Sequence, residues 1–468
     1  MVGDNRASQA GGRSTQRRTE GRMMPRISDT PRQQTDLFGH PRGLTVLFTA
    51  EMWERFSYYS VLTVLVLYMV NYLFEPTQVE SVFGYAAVKD ALELLFGPLN
   101  TQALASHIYG LYTGQLFLTP LIGGLLADRV LGQRATVVVG AVMMSIGQFM
   151  LVFDSLFFLG LLALILGNGL FKPNTLTQVG ALYAPGDARR DRAFLIILVG
   201  GNIGALLAPL VSGTLASQLG WRYSFAAAGV GMLIALVVYL AALPTLPIDE
   251  FQKAKAAGVK KLGSDERHAV WVLIMLFLAA TLFWAIYEQQ FNTLVFWSGE
   301  IPATFFPAWN ALMGLVLLLL VIRLWAWQGQ HSSEPSSIAK MAIGCFCLAL
   351  SFLVLAVVAW QAGDGERSWL WLIAFFVLVA LGDLYVWPAG LSLVSQVAPA
   401  RVISLMMGLW LATQFTGNVT AARLADFLGN MDHANFLFLM AAVATAAGVV
   451  AVLLIRPLKS ILEKRAVG

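Results

Sequence analysis

The stretch EMWERFSYYS, residues 51–60, places two glutamates, an arginine and two tyrosines near the start of an apolar segment that continues as VLTVLVLYMVNYLF. A charged side chain at the centre of a membrane helix costs about 2.5–3.5 kcal/mol on insertion scales, so such groups are rare and usually functional. The stretch therefore indicates a membrane helix in a bundle with a polar interior, where these charges find partners.

The composition of the whole chain supports a membrane location. Of its 468 residues, 57% are hydrophobic and only 12% are charged, whereas soluble domains contain about 25% charged residues. Several apolar stretches exceed about 18 residues, which is enough to cross a hydrocarbon core about 30 Å thick. Strands of a membrane β-barrel alternate in polarity over only about ten residues. The sequence therefore predicts an all-α membrane protein with many spans.

Twelve candidate spans can be placed along the sequence, with boundaries good to a few residues. They lie near residues 44–73, 103–126, 135–153, 156–183, 193–218, 222–243, 269–295, 304–327, 338–361, 368–396, 401–425 and 433–456.

The charges of the connecting segments sort by side. One side carries most of the lysines and arginines, and the other carries most of the acidic groups, for example Glu75, Glu80 and Asp154. The positive-inside rule then predicts that both termini are cytoplasmic and that the protein lies in the cell membrane. An even number of spans requires the termini to share a side, which agrees with this orientation.

The widest basic loop follows the sixth span and divides the chain into two halves. This layout resembles that of major facilitator transporters, whose substrate site lies between the halves at mid-membrane. The predicted organisation is a disordered cytoplasmic tail (1–42), an N-terminal six-helix bundle (43–244), a cytoplasmic linker (245–268), a C-terminal six-helix bundle (269–458) and a second cytoplasmic tail (459–468).

Neither the basic N-terminal segment nor the two cysteines is read as a binding site. The seven arginines between residues 6 and 32 are expected to orient the first helix rather than to bind nucleic acid. Cys345 and Cys347 are two positions apart in one apolar segment, so they point to different sides of a helix. Neither a disulfide nor a metal site is predicted there.

Six charged residues are predicted to lie deep in the spans: Glu51, Glu54, Arg55, Lys172, Glu288 and Asp383. Counting at 1.5 Å per residue places Glu54, Lys172 and Asp383 about 15, 16 and 19 Å from the cytoplasmic ends of their spans. A lysine buried among carboxylates is a plausible proton switch, because protonation of a glutamate releases the pair. The alternative is a static ion network that locks the halves together.

The motifs then become specific. EMWERFSYY resembles the E-x-x-E-R-F-x-Y-Y signature in the first helix of proton-dependent oligopeptide transporters, a family of the major facilitator superfamily. The resemblance continues through PLIGGLLADRVLGQR, GNGLFKPNTLTQVG, IYEQQ, FPAWNALMG, LYVWPAGLSLVSQVAP and SLMMGLWLATQFTGN, and it covers nearly the whole membrane portion. Asp128, Arg129 and Arg134 of the second motif look like a cytoplasmic conformational latch.

The resemblance implies symport of di- and tripeptides driven by protons through a central cavity, and it assigns roles to residues. Arg55 and Lys172 would hold the peptide carboxylate, and Asn202, Asn310 and Asp383 would receive the peptide amine. Side-chain pockets would be lined by Tyr58, Tyr59, Trp284 and Trp410, although the depth of the two tryptophans suits the core as well as a pocket. Proton coupling would involve Glu51, Glu54 and Glu288 together with Arg55 and Lys172.

Several positions depart from the family pattern. Ser60 stands where a glycine is usual, Leu62 where an arginine is common, and Asp383 where a glutamate is usual. Leu198 and Phe117 replace an aromatic residue and a tyrosine, respectively. These departures leave the range of substrates open. The alternative is the same fold and proton coupling with another solute, such as nitrate, a modified amino acid or a peptide-like drug.

A membrane enzyme is the rival class. Such an enzyme needs a nucleophile with a base, or a metal cluster, and the sequence shows no histidine-rich cluster and no G-x-S-x-G motif. We therefore expect a transporter, active as a monomer in the lipid bilayer, that uses no cofactor and no metal.

Overall fold

The computed structural model describes residues 35–36, 39–184, 186–187, 189–247, 262–292, 305–331, 334–362, 369–425, 427 and 431–467. Twelve long helices run through these ranges and carry the fold. They are α1 (Arg42–Tyr68), α2 (Thr101–Leu126), α3 (Gln133–Met150), α4 (Phe157–Ala181), α5 (Arg189–Ala208), α6 (Trp221–Ala241), α7 (Ser264–Tyr287), α8 (Phe305–Gln330), α9 (Ser337–Ala362), α10 (Trp369–Val397), α11 (Ile403–Ala425) and α12 (His433–Leu453).

Each long helix coincides with one of the twelve predicted spans. Ten of the described helices are long and apolar enough to cross a membrane by length and composition alone. The other two, α3 and α11, each lie between two such helices in the chain. Each must also cross the membrane if its neighbours are to run in alternating directions. The helix α11 is more polar because it carries Thr413, Gln414 and Asn418. The prediction of a helical membrane protein with many spans is confirmed.

The two halves, α1–α6 and α7–α12, meet along a small set of helices: α2 runs against α11, α5 against α10, and α4 against both α10 and α11. Glycines permit the closest approach. A Cβ atom added at Gly124 would lie 2.2 Å from the carbonyl oxygen of Ser404 on α11. One added at Gly408 would lie 2.4 Å from the carbonyl oxygen of Pro120 on α2. Small residues at these positions therefore let the backbones of the halves touch.

We call the end of the bundle at which α1 begins and α12 ends the terminal face. Here β1 (Thr35–Asp36) and β2 (His40–Pro41) form a short antiparallel hairpin just before α1. The His40 ring is only 4% exposed, and its Nδ1 lies 2.7 Å from the hydroxyl oxygen of Tyr183. The predicted disordered tail therefore does not extend through residues 39–41, because this pairing holds them against the α4–α5 connection. Residues 1–34 and 37–38 lie outside the described residues.

The other end of the chain is also folded where a tail was predicted. Residues Ile455–Val467 form a helix at the terminal face. Its Leu458 and Ile461 are 1% and 8% exposed and pack on the hydrophobic core, whereas the predicted tail covers 459–468. Spacing of apolar residues at i and i+3 gives this segment an inward face, which the prediction overlooked. Most of the predicted linker, residues 248–261, lies outside the described residues.

The opposite face of the bundle carries a short helix, Tyr85–Phe96, between α1 and α2. Nearby, Asp154 joins three elements by side-chain contacts. It accepts hydrogen bonds from the hydroxyls of Tyr68 and Tyr72, at 2.8 and 3.1 Å, and from Arg222 on α6 at 3.1 Å. This node fixes the far end of α1, so the charged part of α1 is held at a defined depth.

Candidate substrate cavity

A cavity of about 310 Å³ lies between the halves, near the middle of the bundle. This volume is at the lower end of the range for small-molecule sites, about 300–1,000 Å³. Seven helices and the turn after α7 line it. The N-terminal half contributes α1, α2, α4 and α5, and the C-terminal half contributes α7, α10 and α11. The predicted site residues among its lining are Glu51, Arg55, Tyr58, Tyr59, Lys172, Asn202, Trp284, Glu288 and Asp383.

The N-terminal wall contains a closed network of two cations and two carboxylates. The Nε atom of Arg55 lies 3.2 Å from Glu51 Oε1 and 3.1 Å from Glu54 Oε2. The Nζ atom of Lys172, on α4, contacts Glu51 and lies 3.3 Å from Glu54 Oε2. Each glutamate therefore contacts both cations, and the network is neutral when all four groups are ionised.

Burial and one amide complete this network. The side chains of Lys172 and Glu54 are 7% and 0% exposed. The Nδ2 atom of Asn168, one turn before Lys172 on α4, donates to Glu54 Oε1 at 3.2 Å. Glu54 thus lies behind the cavity surface, whereas Glu51 reaches it. Loss of one partner from a buried ion pair typically costs about 3–5 kcal/mol, so these four charges depend on one another.

The C-terminal wall presents two carboxylates. Glu288 stands in the turn that ends α7, before the short helix Gln289–Asn292, and Asp383 lies on α10. Both are half-buried and line the cavity. Within the described parts of the chain, neither makes an ion pair. The turn itself is held by Gln289, whose Nε2 donates to the carbonyl oxygen of Ala421 on α11 at 2.8 Å.

Aromatic side chains form the rest of the walls. The Tyr58 ring lies beneath the guanidinium of Arg55, with 5.1 Å between Cζ and the ring centroid, and it meets Tyr59 edge-on at 4.9 Å. On the opposite wall Trp284 packs edge-on against Tyr287 and Trp387, at 5.4 and 5.9 Å. The indole nitrogen of Trp284 has no hydrogen-bond partner among the described residues, which leaves a donor beside the cavity.

Two predicted binding residues differ from the rest. Trp410 is fully buried and does not line the cavity; a Cβ added at Gly390 would lie 2.0 Å from its ring, so it fills the contact between α10 and α11. The prediction that it lines a side-chain pocket is therefore not supported. Asn310 falls within α8, but its side chain lies outside what the structure describes.

The predicted latch residues make different contacts. Asp128 accepts hydrogen bonds from the backbone N–H groups of Ser404 and Leu405, at 3.2 and 2.8 Å, at the start of α11 in the other half. Arg134 instead donates to the carbonyl oxygens of Leu246 and Pro247, which follow α6 in its own half. Arg129 is exposed. Asp128 therefore supplies a contact across the halves, at the N-terminus of a helix where the helix dipole favours an anion.

Four residues of the site were missed from the sequence. Asn168 was within reach of sequence reasoning, because it lies four positions before Lys172 and shares its helix face. Tyr287, Trp387 and Gln414 also line the cavity. Tyr287 precedes Glu288 and Trp387 lies four positions after Asp383, so these two were also within reach, whereas Gln414 has no such neighbour. Only the packing of the halves shows which side of their helices faces inward.

A charged, partly aromatic cavity between two six-helix halves defines a membrane transporter of the major facilitator type. A family model described as the POT family matches residues 134–247 and 248–442. The chain belongs to this family.

Individual relatives agree with this assignment. The chain is 30% identical over 526 residues to a peptide transporter of Yersinia enterocolitica, covering 94% of this chain and 98% of that protein. It is 28% identical to a di-/tripeptide transporter of Lactococcus lactis, covering 90% and 96%. A crystal structure of a POT family transporter in complex with 5-aminolevulinic acid is 25% identical, with a TM-score of 0.59 and coverage of 91% and 98%.

Proposed function

We propose that this protein is a symporter that imports di- and tripeptides together with protons by alternating access. The observation that carries the proposal is the division of charge across the cavity. The N-terminal wall offers the cations Arg55 and Lys172, and the C-terminal wall offers the carboxylates of Glu288 and Asp383. A zwitterionic peptide fits this division, with its carboxylate toward α1 and α4 and its amine toward α7 and α10.

The proton enters this scheme through the two glutamates of the N-terminal wall. Arg55 and Lys172 are already occupied by Glu51 and Glu54, so a peptide carboxylate has to compete for them. Protonation of a glutamate removes its charge and frees a cation for the peptide. Peptide and proton then bind together. A peptide bound in this way touches both halves and favours closure of the cavity around it.

Contacts between the halves at the terminal face indicate which end of the cavity is closed. Asp128 holds the start of α11, and a Cβ added at Gly180 on α4 would lie 2.3 Å from the Cβ of Ser395 on α10. The described state is therefore closed at the terminal face. We place this face in the cytoplasm and the protein in the cell membrane, in line with the basic loops. In this orientation the described state is closed toward the cytoplasm.

The remaining parts of the proposal are a monomer as the working unit and the proton gradient as the driving force, with no cofactor. The relatives named above are transporters, which supports transport over catalysis. Asn202 lies on α5 at the cavity and supplies an uncharged hydrogen-bonding group. Tyr58, Tyr59, Trp284 and Trp387 supply apolar surface that tolerates different side chains.

A second substrate class is favoured by one observation. A relative of the same family was crystallised with 5-aminolevulinic acid, a small molecule rather than a peptide. The small cavity volume is compatible with such a modified amino acid. Its amine and carboxylate would meet the same two walls.

The test is uptake of a radiolabelled dipeptide into proteoliposomes with an imposed inward proton gradient. We expect accumulation above the external concentration, and inhibition by unlabelled di- and tripeptides. A panel of competitors that includes 5-aminolevulinic acid and nitrate separates the substrate classes. If no dipeptide of a broad panel accumulates, the proposal of peptide transport is wrong. If only 5-aminolevulinic acid competes, the substrate is instead a modified amino acid of that kind.

A further inference from the structure

A second lysine flanked by two carboxylates lies away from the cavity, at the terminal face. The Nζ atom of Lys340 is 2.7 Å from Asp191 Oδ2 and 2.6 Å from Glu334 Oε1. Lys340 is 1% exposed, and its ammonium lies 3.9 Å from the centroid of the Trp325 ring. Ser337 adds a hydroxyl that donates to Asp191 Oδ1 at 2.8 Å. This is a built and buried site rather than a surface ion pair.

The two carboxylates belong to different halves. Asp191 is in the first turn of α5, in the N-terminal half, whereas Glu334 precedes α9 and shares the C-terminal half with Lys340 and Trp325. Lys340 is therefore bound once across the interface and once within its own half. Surface salt bridges contribute about 0–1 kcal/mol, but loss of a buried partner costs about 3–5 kcal/mol.

A second cation balances the charge of this cluster. A Cβ added at Gly329, at the end of α8, would lie 2.8 Å from Glu334 Oε2 and 3.6 Å from Nη2 of Arg192. Arg192 on α5 and Glu334 therefore converge on the last turn of α8. Two acids and two bases meet at the contact between the halves, and the cluster is neutral as a whole.

We propose that Asp191, Lys340 and Glu334 form a partner-exchange gate at the terminal face. In the closed state Lys340 bridges the halves through Asp191. When the halves part, Asp191 and Arg192 leave together on α5, and Glu334 keeps Lys340 neutralised within the C-terminal half. Glu334 thereby lowers the cost of opening, while Asp191 stabilises closure. The proposal rests on the alternating access of the proposed function, since only that motion requires the halves to part here.

The two acids therefore have opposite effects, which gives a sharp test. Spin labels are placed at Ala181→Cys on α4 and Ala400→Cys before α11, exposed positions on either side of the terminal-face cleft. The native Cys345 and Cys347 are replaced by alanine, and distances are measured by double electron–electron resonance in lipid nanodiscs. Asp191→Asn is expected to raise the ratio of long to short distances at least about tenfold, whereas Glu334→Gln lowers it about threefold.

A matched control is available in the same half. Asp187 pairs with Arg189 at 2.7 Å at the same face, and both belong to the N-terminal half. Asp187→Asn is expected to leave the distance distribution unchanged. Ser337→Ala removes only the hydroxyl donor to Asp191 and is expected to shift the ratio in the same direction as Asp191→Asn, but less. It keeps the test valid if Asp191→Asn does not fold.

Two outcomes overturn the gate: an unchanged distribution in both Asp191→Asn and Ser337→Ala, or shifts of the same sign for Asp191→Asn and Glu334→Gln. Dipeptide uptake by the wild-type protein is measured in parallel. Uptake with no shift in the variants rejects the gate and leaves the proposed function standing. Opposite shifts without wild-type uptake support the gate and reject peptide transport.

Discussion

The ammonium of Lys172 lies 3.3 Å from Glu54 Oε2, and this contact joins α4 to α1 in the middle of the bundle. Arg55 contacts the same carboxylate oxygen at 3.1 Å. Glu54 therefore holds two cations at once, and its side chain has no exposure of its own. A change in the charge of Glu54 therefore alters the electrostatic interactions of both cations, Arg55 on α1 and Lys172 on α4.

Replacement of Glu54 by glutamine separates coupling from binding. The amide keeps the size of the side chain but removes its charge, so Arg55 and Lys172 become available to a peptide carboxylate without a proton. We expect Glu54→Gln to reduce gradient-driven uptake at least about tenfold while counterflow exchange of peptide continues. Glu80→Gln, an exposed residue beyond α1, is the control and should behave as wild type. Equal loss of uptake and exchange would instead indicate a structural role for Glu54.

Replacement of Asp383 by asparagine tests where the peptide amine binds. A hydrogen bond to a charged group contributes about 1.5–3 kcal/mol, so Asp383→Asn should weaken binding of a free dipeptide about 10- to 100-fold. Binding of the N-acetylated dipeptide should change little, because its amine is no longer charged. Competition assays with both ligands measure the difference. A similar loss for both ligands would place the amine elsewhere.

The two tryptophans of α10 and α11 provide a matched pair. Trp387 lines the cavity, whereas Trp410 is buried in the contact between the helices. Trp387→Ala should change the ranking of dipeptides that differ in side chain. Trp410→Ala should lower the melting temperature, since such a truncation in a core costs about 3–5 kcal/mol. Uptake competition and thermal unfolding of the purified variants measure both effects. A changed ranking in Trp410→Ala alone would restore the original prediction for this residue.

These cases show what the sequence reveals and what it does not. The first-helix charges and Lys172 were predicted because charge within an apolar span is rare and has to find a partner. Trp410 was misplaced because an indole suits a cavity and a core equally well, and only the contact with Gly390 decides between them. Trp387 was missed for the same reason. The spans followed from hydropathy, but the folded end at Ile455–Val467 depends on Leu458 and Ile461 meeting the core.

His40 makes the stability of the terminal face depend on pH. Burial, followed by the nearby charges of Arg192 and Arg189, lowers the pKa of His40 from 6.5 to about 4. The neutral ring is therefore the one that the folded state favours. The contribution of His40 to the free energy of unfolding is complete above pH 6.5 and declines as the pH falls from there toward 4.

The corresponding variant is His40→Gln, which loses the contact to Tyr183. Loss of about 1 kcal/mol should lower the melting temperature by a few degrees at pH 7.5. At pH 5 the wild-type advantage should vanish or change sign, because the histidine of the unfolded wild-type chain is then largely protonated and keeping the ring neutral in the folded state costs free energy. Thermal unfolding of both proteins across this range checks the sign. A wild-type advantage in melting temperature that grows as the pH falls would contradict the lowered pKa of His40.

The central claim is that peptide and proton move together through the Glu51, Glu54, Arg55 and Lys172 network. The most direct measurement is the internal pH of proteoliposomes after a dipeptide is added outside, with no gradient imposed and the membrane potential clamped. We predict that the lumen acidifies with wild-type protein when peptide is added, and that Glu54→Gln exchanges peptide without this acidification. Peptide entry into wild-type vesicles with no change of internal pH would contradict the account.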